Sequence, residues 1–254
     1  MPATPTAVRV VGTVVPIEST GADELRDLIR PGDPAAAYCL AELGVGPGEF
    51  YDKDADVLVF PESTYFFEAR YDDGTTVEIR IHPEMVEGEG SGDGLVQAER
   101  IAAPVALLPV ELRRLVERVG FLGGESTAQA DGGGEGIHVY AGNVAVREAA
   151  GRFEETLFHE SVHTSLDDLY GSSPEWLAAQ EADDAYLTDY AAANPATEDL
   201  AETALYAWAL LHHGDRISLA DADAWSATVP ARIEVIDGLL SPPGQGYTHV
   251  APVC

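Results

Sequence analysis

The sequence predicts an α+β fold in which a β-rich N-terminal part, residues 1–95, precedes a mostly helical part, residues 96–254. Short alternating or β-branched segments are concentrated before residue 83, and apolar residues recur at helical spacing after residue 148. An acidic, glycine-rich stretch, residues 87–94, separates the two patterns and predicts a loop. The hydrophobic content of 46 % is ordinary for a globular protein, so this chain can bury a sizeable core.

The elements of the N-terminal part follow from alternation and from turn residues. The predicted elements are strands at 7–17, 57–60, 64–71 and 75–82 and a short helix at 22–29. Arg30 precedes a proline, and this position disfavours helical geometry, so the short helix should end there. The turn Tyr71-Asp-Asp-Gly74 is typical of a hairpin and predicts that the last two strands pair.

The second part reads as helical, with one interruption. The predicted elements are a helix at 109–119, a glycine-rich loop at 123–136, a short strand at 136–142, three or four helices within 148–212 and a helix at 219–240. Pro230 should break the last of these helices, because proline removes a backbone donor and clashes with the preceding turn. His82 and Asp93 are expected to have structural roles only.

The segment 151–169 contains the run His159-Glu160-Ser161-Val162-His163, an H-E-x-x-H motif. Its apolar residues lie at helical spacing and it lacks proline, which predicts a helix. Side chains four residues apart share a helix face, so His159 and His163 can bind one metal ion. Glu160 would then lie beside the metal, where it can take a proton from a bound water. With 7 histidines in 254 residues, this spacing indicates a metal site rather than coincidence.

A catalytic zinc usually has three protein ligands and one position for water, so a third ligand is needed. The longer motif H-E-x-x-H-x-x-G-x-x-H does not apply, because Leu166 and Leu169 occupy its glycine and histidine positions. Asp167 and Asp168 lie nearby, but the same helix would carry them away from the metal. The stretch 194–202, Asn-Pro-Ala-Thr-Glu-Asp-Leu-Ala-Glu, contains a better candidate.

This stretch predicts a second site helix. Asn194 can cap it, with Pro195 in the first turn. Glu198 and Glu202 are then one turn apart and face the same way. Glu198 is the predicted third ligand, and Glu202 is predicted to accept the outer N–H of one of the two histidines.

An HExxH helix followed by E-x-x-x-E on a later helix resembles the gluzincin group of zinc metallopeptidases. Residues 188–210 are similar to its lethal-factor-type branch, and the resemblance extends over residues 105–212. It implies a zincin-like domain, with a small mixed sheet and active-site helices, that binds one catalytic zinc. The site residues it implies are the ligands His159, His163 and Glu198, the general base Glu160, the transition-state donor Tyr190 and the supporting carboxylate Glu202.

The position of the donor tyrosine stays open at this point. The branch has a tyrosine several residues ahead of the third ligand, and Tyr190, eight residues ahead of Glu198, is the candidate for that place. Tyr186 and Tyr206 are the alternatives.

The resemblance also implies an edge strand, just before the HExxH helix, that pairs with an extended peptide substrate. Residues 136–142 are expected to form it, since main-chain pairing with an edge is a general way to hold a peptide. His138 in this strand is expected at the surface. The implied activity is zinc-dependent endopeptidase. The alternative is a zinc-binding protein without proteolytic activity, or a hydrolase of a non-peptide amide.

The chain has 44 acidic and 14 basic residues, a formal net charge of −30, and Lys53 is its single lysine. Nucleic acid is therefore not expected as a partner, because it would be repelled. No run reaches the roughly 18–20 apolar residues of a membrane span, and residues 1–20 lack the pattern of a signal peptide. We expect a monomer that acts on protein or peptide substrates. It could be a secreted mature form or an intracellular protein.

The two cysteines, Cys39 and Cys254, are far apart in the sequence, and no C-x-x-C zinc motif is present. A single disulfide and two free thiols are both compatible with this pattern.

Overall fold

The computed structural model describes residues 17–20, 27–87, 93–131, 136–183 and 185–254, which form an α+β fold with a six-stranded mixed sheet. The strands are β1 Tyr38–Gly46, β2 Phe50–Asp52, β3 Val57–Val59, β4 Thr64–Tyr71, β5 Thr76–Ile81, β6 Arg118–Leu122, β7 Gln129–Ala130 and β8 Gly136–Tyr140. The helices are α1 Glu84–Glu87, α2 Gly94–Val105, α3 Val110–Arg113, α4 Ala141–Ala149, α5 Phe153–Val162, α6 Pro174–Asp183, α7 Asp189–Ala193, α8 Asp199–His212, α9 Leu219–Thr228 and α10 Pro230–Leu239. A π-helical segment, His163–Gly171, continues α5, and a 3₁₀ turn, Gly214–Arg216, follows α8.

The sheet has the order β1-β4-β5-β6-β8-β7. Strands β1, β4 and β5 are antiparallel, β5, β6 and β8 are parallel, and the short edge strand β7 is antiparallel to β8. The parallel pair β5–β6 joins residues from either side of residue 95, with Ile79 opposite Val119. The β-rich and helical parts therefore share one continuous sheet.

The predicted hairpin between β4 and β5 is confirmed. Gly74 donates a backbone hydrogen bond to Tyr71 (3.0 Å), and Tyr71 donates one to Thr75 (2.9 Å). Gly74 has a φ of +86°, a left-handed conformation that glycine adopts without a steric penalty. The predicted strand 57–60 is also present, as β3. The strand predicted at 7–17 lies outside the described residues except for Ile17, which forms an isolated bridge with Thr188.

The helix predicted at 22–29 and the loop predicted at 87–94 lie largely outside the described residues, and their described parts differ from the prediction. Most of the helix predicted at 22–29 lies outside them, and its last residues, Leu28 and Ile29, form a bend. In the loop predicted at 87–94, Gly94 already begins α2, and Asp93 caps that helix by accepting from the backbone N–H of Leu95 at 2.8 Å. The structural role expected for Asp93 is therefore confirmed as an N-cap.

The helix predicted at 109–119 is wrong. Only Val110–Arg113 is helical, and Arg118–Leu122 forms the strand β6 between β5 and β8. A short apolar run fits a fully buried parallel strand as well as a helix face, so its periodicity does not decide between them. Pairing with both neighbouring strands decided here, since Val119 is 0 % exposed in the middle of the sheet.

The helices stack outward from the sheet and bring the two site helices together. Helix α2 packs on β1, β4 and β5, α5 packs on α2 and α8, and α8 packs on α10. The rings of Phe158 and Trp208, 5.3 Å apart, are part of the contact between α5 and α8. The helix predicted at 219–240 is present as α9 and α10, with the break at Pro230 as expected.

Cys39 and Cys254 form a disulfide, which leaves no free cysteine in the chain. The bond links β1 to the C-terminal residue, across 215 positions of sequence. Within the described ranges, no helix is both long enough and apolar enough to cross a bilayer.

Candidate metal centre

The two histidines of the HExxH motif lie side by side where α5 passes into the π-helical segment. Their Nε2 atoms are 3.0 Å apart, and their rings are nearly perpendicular, at 79°. The apolar side chains of the same turn, Phe158 and Val162, are 0 % exposed and hold this stretch against the core. The local helical spacing therefore places both imidazoles at one point beside the core.

Glu198 reaches the same point from the start of α8. The predicted Asn194 cap is wrong, because the helix begins at Asp199 and Glu198 itself is the residue before its first turn. The backbone oxygen of Asn194 accepts from Glu198 N–H (2.9 Å), so Pro195 lies in the turn that precedes the helix. Glu202 N–H still donates to Glu198 O at 2.9 Å, so Glu198 and Glu202 are one turn apart as expected.

The donor atoms of the three predicted ligands form a compact triangle. Glu198 Oε2 is 3.6 Å from His159 Nε2 and 3.3 Å from His163 Nε2. In tetrahedral zinc sites with bonds of about 2.0–2.1 Å, neighbouring ligand atoms are about 3.3–3.4 Å apart. Imidazole nitrogen and carboxylate oxygen are also donors that zinc accepts. These three side chains therefore fit an ion of that size and geometry.

The pKa values of this cluster are shifted in opposite directions. Burial by itself would lower the pKa of His163, but hydrogen bonds to Asp167 and Glu198 outweigh burial and raise it to about 10. Burial would raise the pKa of Glu198, but hydrogen bonds from His159 and His163 lower it to about 2. In the metal-free protein the cluster thus binds a proton on imidazole while Glu198 stays ionised.

The outer nitrogens of the two imidazoles have separate partners. His163 Nδ1 lies 2.6 Å from Asp167 Oδ2, one helical turn further along. The expectation that the helix carries Asp167 away from the metal face is wrong: Asp167 lines the same cavity, and its carboxylate contacts the outer nitrogen of His163. His159 Nδ1 lies 3.0 Å from the hydroxyl oxygen of Thr20.

The predicted contact between Glu202 and a histidine is wrong as a direct bond. Glu202 Oε1 is 3.8 Å from His159 Nδ1, too far for a hydrogen bond, and the Thr20 hydroxyl bridges them by donating to Glu202 Oε1 at 2.9 Å. Glu202 is 1 % exposed. Burial raises its pKa, although contacts with His159, Thr188 and Thr20 lower it in part.

Glu160 faces the edge of the sheet. Its Oε2 accepts a hydrogen bond of 2.9 Å from the backbone N–H of Ala130 in β7. The edge strand expected at 136–142 is therefore misplaced, because β8 lies between β6 and β7, and β7 forms the edge. Helix α4 also separates β8 from α5.

The expectation that His138 lies at the surface is wrong. It is 7 % exposed, and its Nδ1 is 2.8 Å from Asp131 Oδ1. Its Nε2 accepts from Tyr51 N–H at 3.2 Å. A strand with neighbours on both sides and packing on both faces buries every side chain, so alternation of polar and apolar residues did not indicate exposure here.

A cavity of about 570 Å³ opens over the candidate site. His159, Glu160, His163, Glu198 and Glu202 all line it, together with Ala128–Asp131 at the sheet edge. Its remaining lining residues are Ser19, Thr20, Lys53, Thr127, Asn143, Arg147, Thr156, Asp167, Asp168, Tyr190 and Thr197.

Among the described residues, Tyr190 is the one of the three candidate tyrosines that lines this cavity. It lies on α7, which Thr188 caps by accepting from Ala191 N–H at 3.0 Å. Burial and a hydrogen bond with Glu198 raise the pKa of Tyr190. Tyr186 instead stacks on Arg232, 5.0 Å from the ring centre, and the hydroxyl of Tyr206 donates to Ser19 O at 3.3 Å.

Sequence reasoning did not find Thr20, the contact between Asp167 and His163, or the contact between Ala130 and Glu160. Asp167 could have been found, because it lies four residues after His163 on the same helical face. Thr20 is 139 residues from His159, and no local pattern points to it.

Comparisons with protein-family profiles, with curated proteins and with solved structures found no match to this chain.

Proposed function

We propose that this protein is a zinc-dependent metalloendopeptidase with a gluzincin-type site that resembles the lethal-factor-type branch. The observation that carries the proposal is the triangle of His159 Nε2, His163 Nε2 and Glu198 Oε2, with edges of 3.0, 3.3 and 3.6 Å. Glu160 lines the same cavity. A metal-binding triangle without an adjacent base would support storage or structural zinc; the carboxylate beside it supports hydrolysis.

A zinc ion held by these side chains would polarise both a water molecule and the scissile carbonyl. Glu160 would take a proton from that water as the water attacks the carbonyl carbon, and would then pass the proton to the leaving amine. One of its carboxylate oxygens is held by Ala130, and the other can accept the proton. The Tyr190 hydroxyl would donate a hydrogen bond to the oxygen that becomes negative in the transition state.

The sheet edge supports a peptide as substrate. Asp131 N–H donates to Gly136 O in β8, whereas the preceding N–H, that of Ala130, donates to Glu160. Successive backbone groups of a strand point to opposite sides, so the N–H and C=O of Ala130 point away from β8; Glu160 occupies the N–H, and the carbonyl is the group offered to a peptide. An extended peptide can add to such an edge by main-chain hydrogen bonds, as in other cases of strand addition.

The disulfide supports the secreted mature form over the intracellular one, because disulfides persist in oxidising compartments. We also propose that the protein is a monomer and that its substrates are proteins or peptides.

Metal analysis tests the site first. The purified full-length protein should contain about one zinc per chain by mass spectrometry, and Glu198→Ala should lose it. Asp168→Ala is a matched control, since Asp168 lines the cavity but lies outside the ligand triangle. Absence of metal after incubation with zinc would overturn the proposal.

Turnover tests the chemistry separately. We expect cleavage of unstructured protein or a peptide library, and Glu160→Gln should keep zinc while losing about 10²- to 10⁴-fold in rate. Zinc binding with no cleavage of any peptide would favour the alternative, a zinc protein without proteolytic activity or a hydrolase of a non-peptide amide. Full activity in Glu160→Gln would remove Glu160 from the mechanism.

A further inference from the structure

The N-terminal segment Ile17–Thr20 enters the candidate metal centre. Thr20 makes two bonds to one carboxylate there: its backbone N–H donates to Glu202 Oε2 at 2.8 Å, and its hydroxyl donates to Glu202 Oε1 at 2.9 Å. The same hydroxyl oxygen lies 3.0 Å from His159 Nδ1. Side chains that are 139 and 182 residues from Thr20 in sequence are thus joined through one hydroxyl group.

The main chain holds this segment in place. Ile17 O accepts from Asp189 N–H (3.0 Å), and Glu18 O accepts from Tyr190 N–H (2.9 Å), so the segment runs along the start of α7. Thr20 O accepts from the guanidinium of Arg152 at 3.2 Å. Backbone bonds on both sides of the hydroxyl group fix its position with respect to α5, α7 and α8.

The positions of the protons between His159, Thr20 and Glu202 follow from which atoms can donate and which can accept. A carboxylate accepts only, so the Thr20 hydroxyl must donate its hydrogen to Glu202, and its oxygen is left to accept. His159 Nδ1 must then carry a hydrogen, so when the imidazole is neutral its lone pair is on Nε2, on the side of His163 and Glu198. A neutral imidazole that binds metal through Nε2 needs this tautomer.

We infer that Thr20 is a positioning residue for the metal centre. Its hydroxyl links the Glu202 carboxylate to His159 by hydrogen bonds and so fixes the metal-binding tautomer of His159. This inference rests on the proposed metal site. It assigns a functional role to the N-terminal segment, which lies outside both motif helices. It also explains why Glu202 is buried one turn behind Glu198 without a direct hydrogen bond to either histidine.

The test is the zinc affinity of full-length, metal-free protein, measured by competition with a chelator. Thr20→Val keeps the shape of the side chain and removes the hydroxyl, and we expect about 10- to 100-fold weaker binding. Thr20→Ser keeps the hydroxyl and should bind close to wild type. The visible spectrum of the cobalt-substituted protein should change in Thr20→Val and not in Thr20→Ser, which a purely structural role would not produce.

Thr228→Val is the matched control. Its hydroxyl is buried and bonds to Ala224 O within its own helix, at 2.7 Å, so its loss should leave zinc affinity unchanged. Glu202→Gln supplies a second route should Thr20→Val fold poorly. If both residues act through one hydrogen-bonded chain, Thr20→Val and Glu202→Gln should be non-additive, with the double variant no weaker than the weaker single variant.

The outcomes separate this inference from the proposed function. Wild-type affinity in Thr20→Val, or additive losses in the double variant, would overturn the role of Thr20 alone. A wild-type protein that binds no zinc would overturn both. Weak binding in Thr20→Val with recovery in Thr20→Ser would establish the hydroxyl as part of the centre.

Discussion

Glu198 and Asp199 are consecutive residues whose carboxylates belong to two differently built clusters. Glu198 faces two imidazoles, His159 and His163, through their Nε2 atoms. Asp199 faces the guanidinium of Arg232, at 2.6 Å, and Asp183 contacts the same guanidinium at 3.0 Å. In the second cluster the side chains of the arginine and both aspartates are at most 1 % exposed.

The difference lies in where the positive charge comes from. The Arg232 cluster carries its own permanent cation, and each carboxylate oxygen of Asp183 and Asp199 accepts from a donor of the chain, so the cluster offers no position to an external ion. The Glu198 cluster brings three potential ligand atoms together, and among the described residues the positive charge within it is a proton on His163. This arrangement, without a permanent cation, is consistent with our proposal that the cluster binds an external one. The Arg232 cluster, in turn, anchors the first residue of α8 and so fixes Glu198.

Removing the guanidinium of Arg232 should have the largest effect on stability. Arg232→Met leaves Asp183 and Asp199 buried without a partner, and should lower the free energy of unfolding by about 3–5 kcal/mol, with or without zinc. Urea denaturation at pH 7 measures it. Arg70→Met, which breaks an exposed pair with Glu68, is the comparison and should cost about 1 kcal/mol or less. Equal losses in the two variants would remove the distinction between the clusters.

Adding zinc should stabilise the protein through the Glu198 cluster. A free zinc concentration a thousand times its Kd should add about 4 kcal/mol to the free energy of unfolding of the wild-type protein. Glu198→Ala should lose most of this gain, because one ligand is missing. The readout is the denaturation midpoint with zinc and with a chelator. A gain as large in Glu198→Ala would mean that zinc binds elsewhere.

Tyr190 lines the cavity over the Glu198 cluster, so we expect this tyrosine to assist the proposed reaction. Tyr190→Phe should lower kcat by about 10²- to 10³-fold, because the donor to the developing oxyanion is lost, and should leave zinc content unchanged, because Tyr190 is not one of the three proposed ligands. Tyr186→Phe should keep kcat, since the Tyr186 ring stacks on the Arg232 cluster. The opposite result for these two variants would transfer the donor role away from Tyr190.

The pH dependence of stability is a further way to examine the Glu198 cluster. In metal-free protein the pKa of His163 is raised from 6.5 to about 10, so its contribution is full below pH 6.5 and is lost as pH rises through 10. The pKa of Glu198 is lowered from 4.5 to about 2, so its contribution is full above pH 4.5 and is lost as pH falls through 2.

Zinc should change how the stability depends on pH above pH 6.5. Binding requires a neutral His163, so at pH 8 zinc should release a proton, and stability should no longer fall between pH 6.5 and 10. Denaturation curves across pH and calorimetry in buffers of different ionisation enthalpy measure the two effects. Zinc binding without proton release at pH 8 would contradict the His163 assignment.

Local spacing determined much of what the sequence alone predicted. Residues four apart on a helix share a face, which was enough to place His159 beside His163 and Glu198 one turn from Glu202. The turn at Tyr71–Gly74 predicted the hairpin, because glycine adopts the required backbone conformation. These features depend on neighbours within a few residues, and such neighbours are visible in the sequence.

Only the tertiary structure decided the features that depend on distant neighbours. Residues 118–122 form a strand because β5 and β8 pair with them, although their apolar spacing also fitted a helix. The edge of the sheet falls at β7, and Thr20 lies between His159 and Glu202 because chain segments far apart in sequence pack together. Hydrogen bonds between such segments leave no periodic pattern in the sequence, so the two motif helices could be predicted and the position of Thr20 could not.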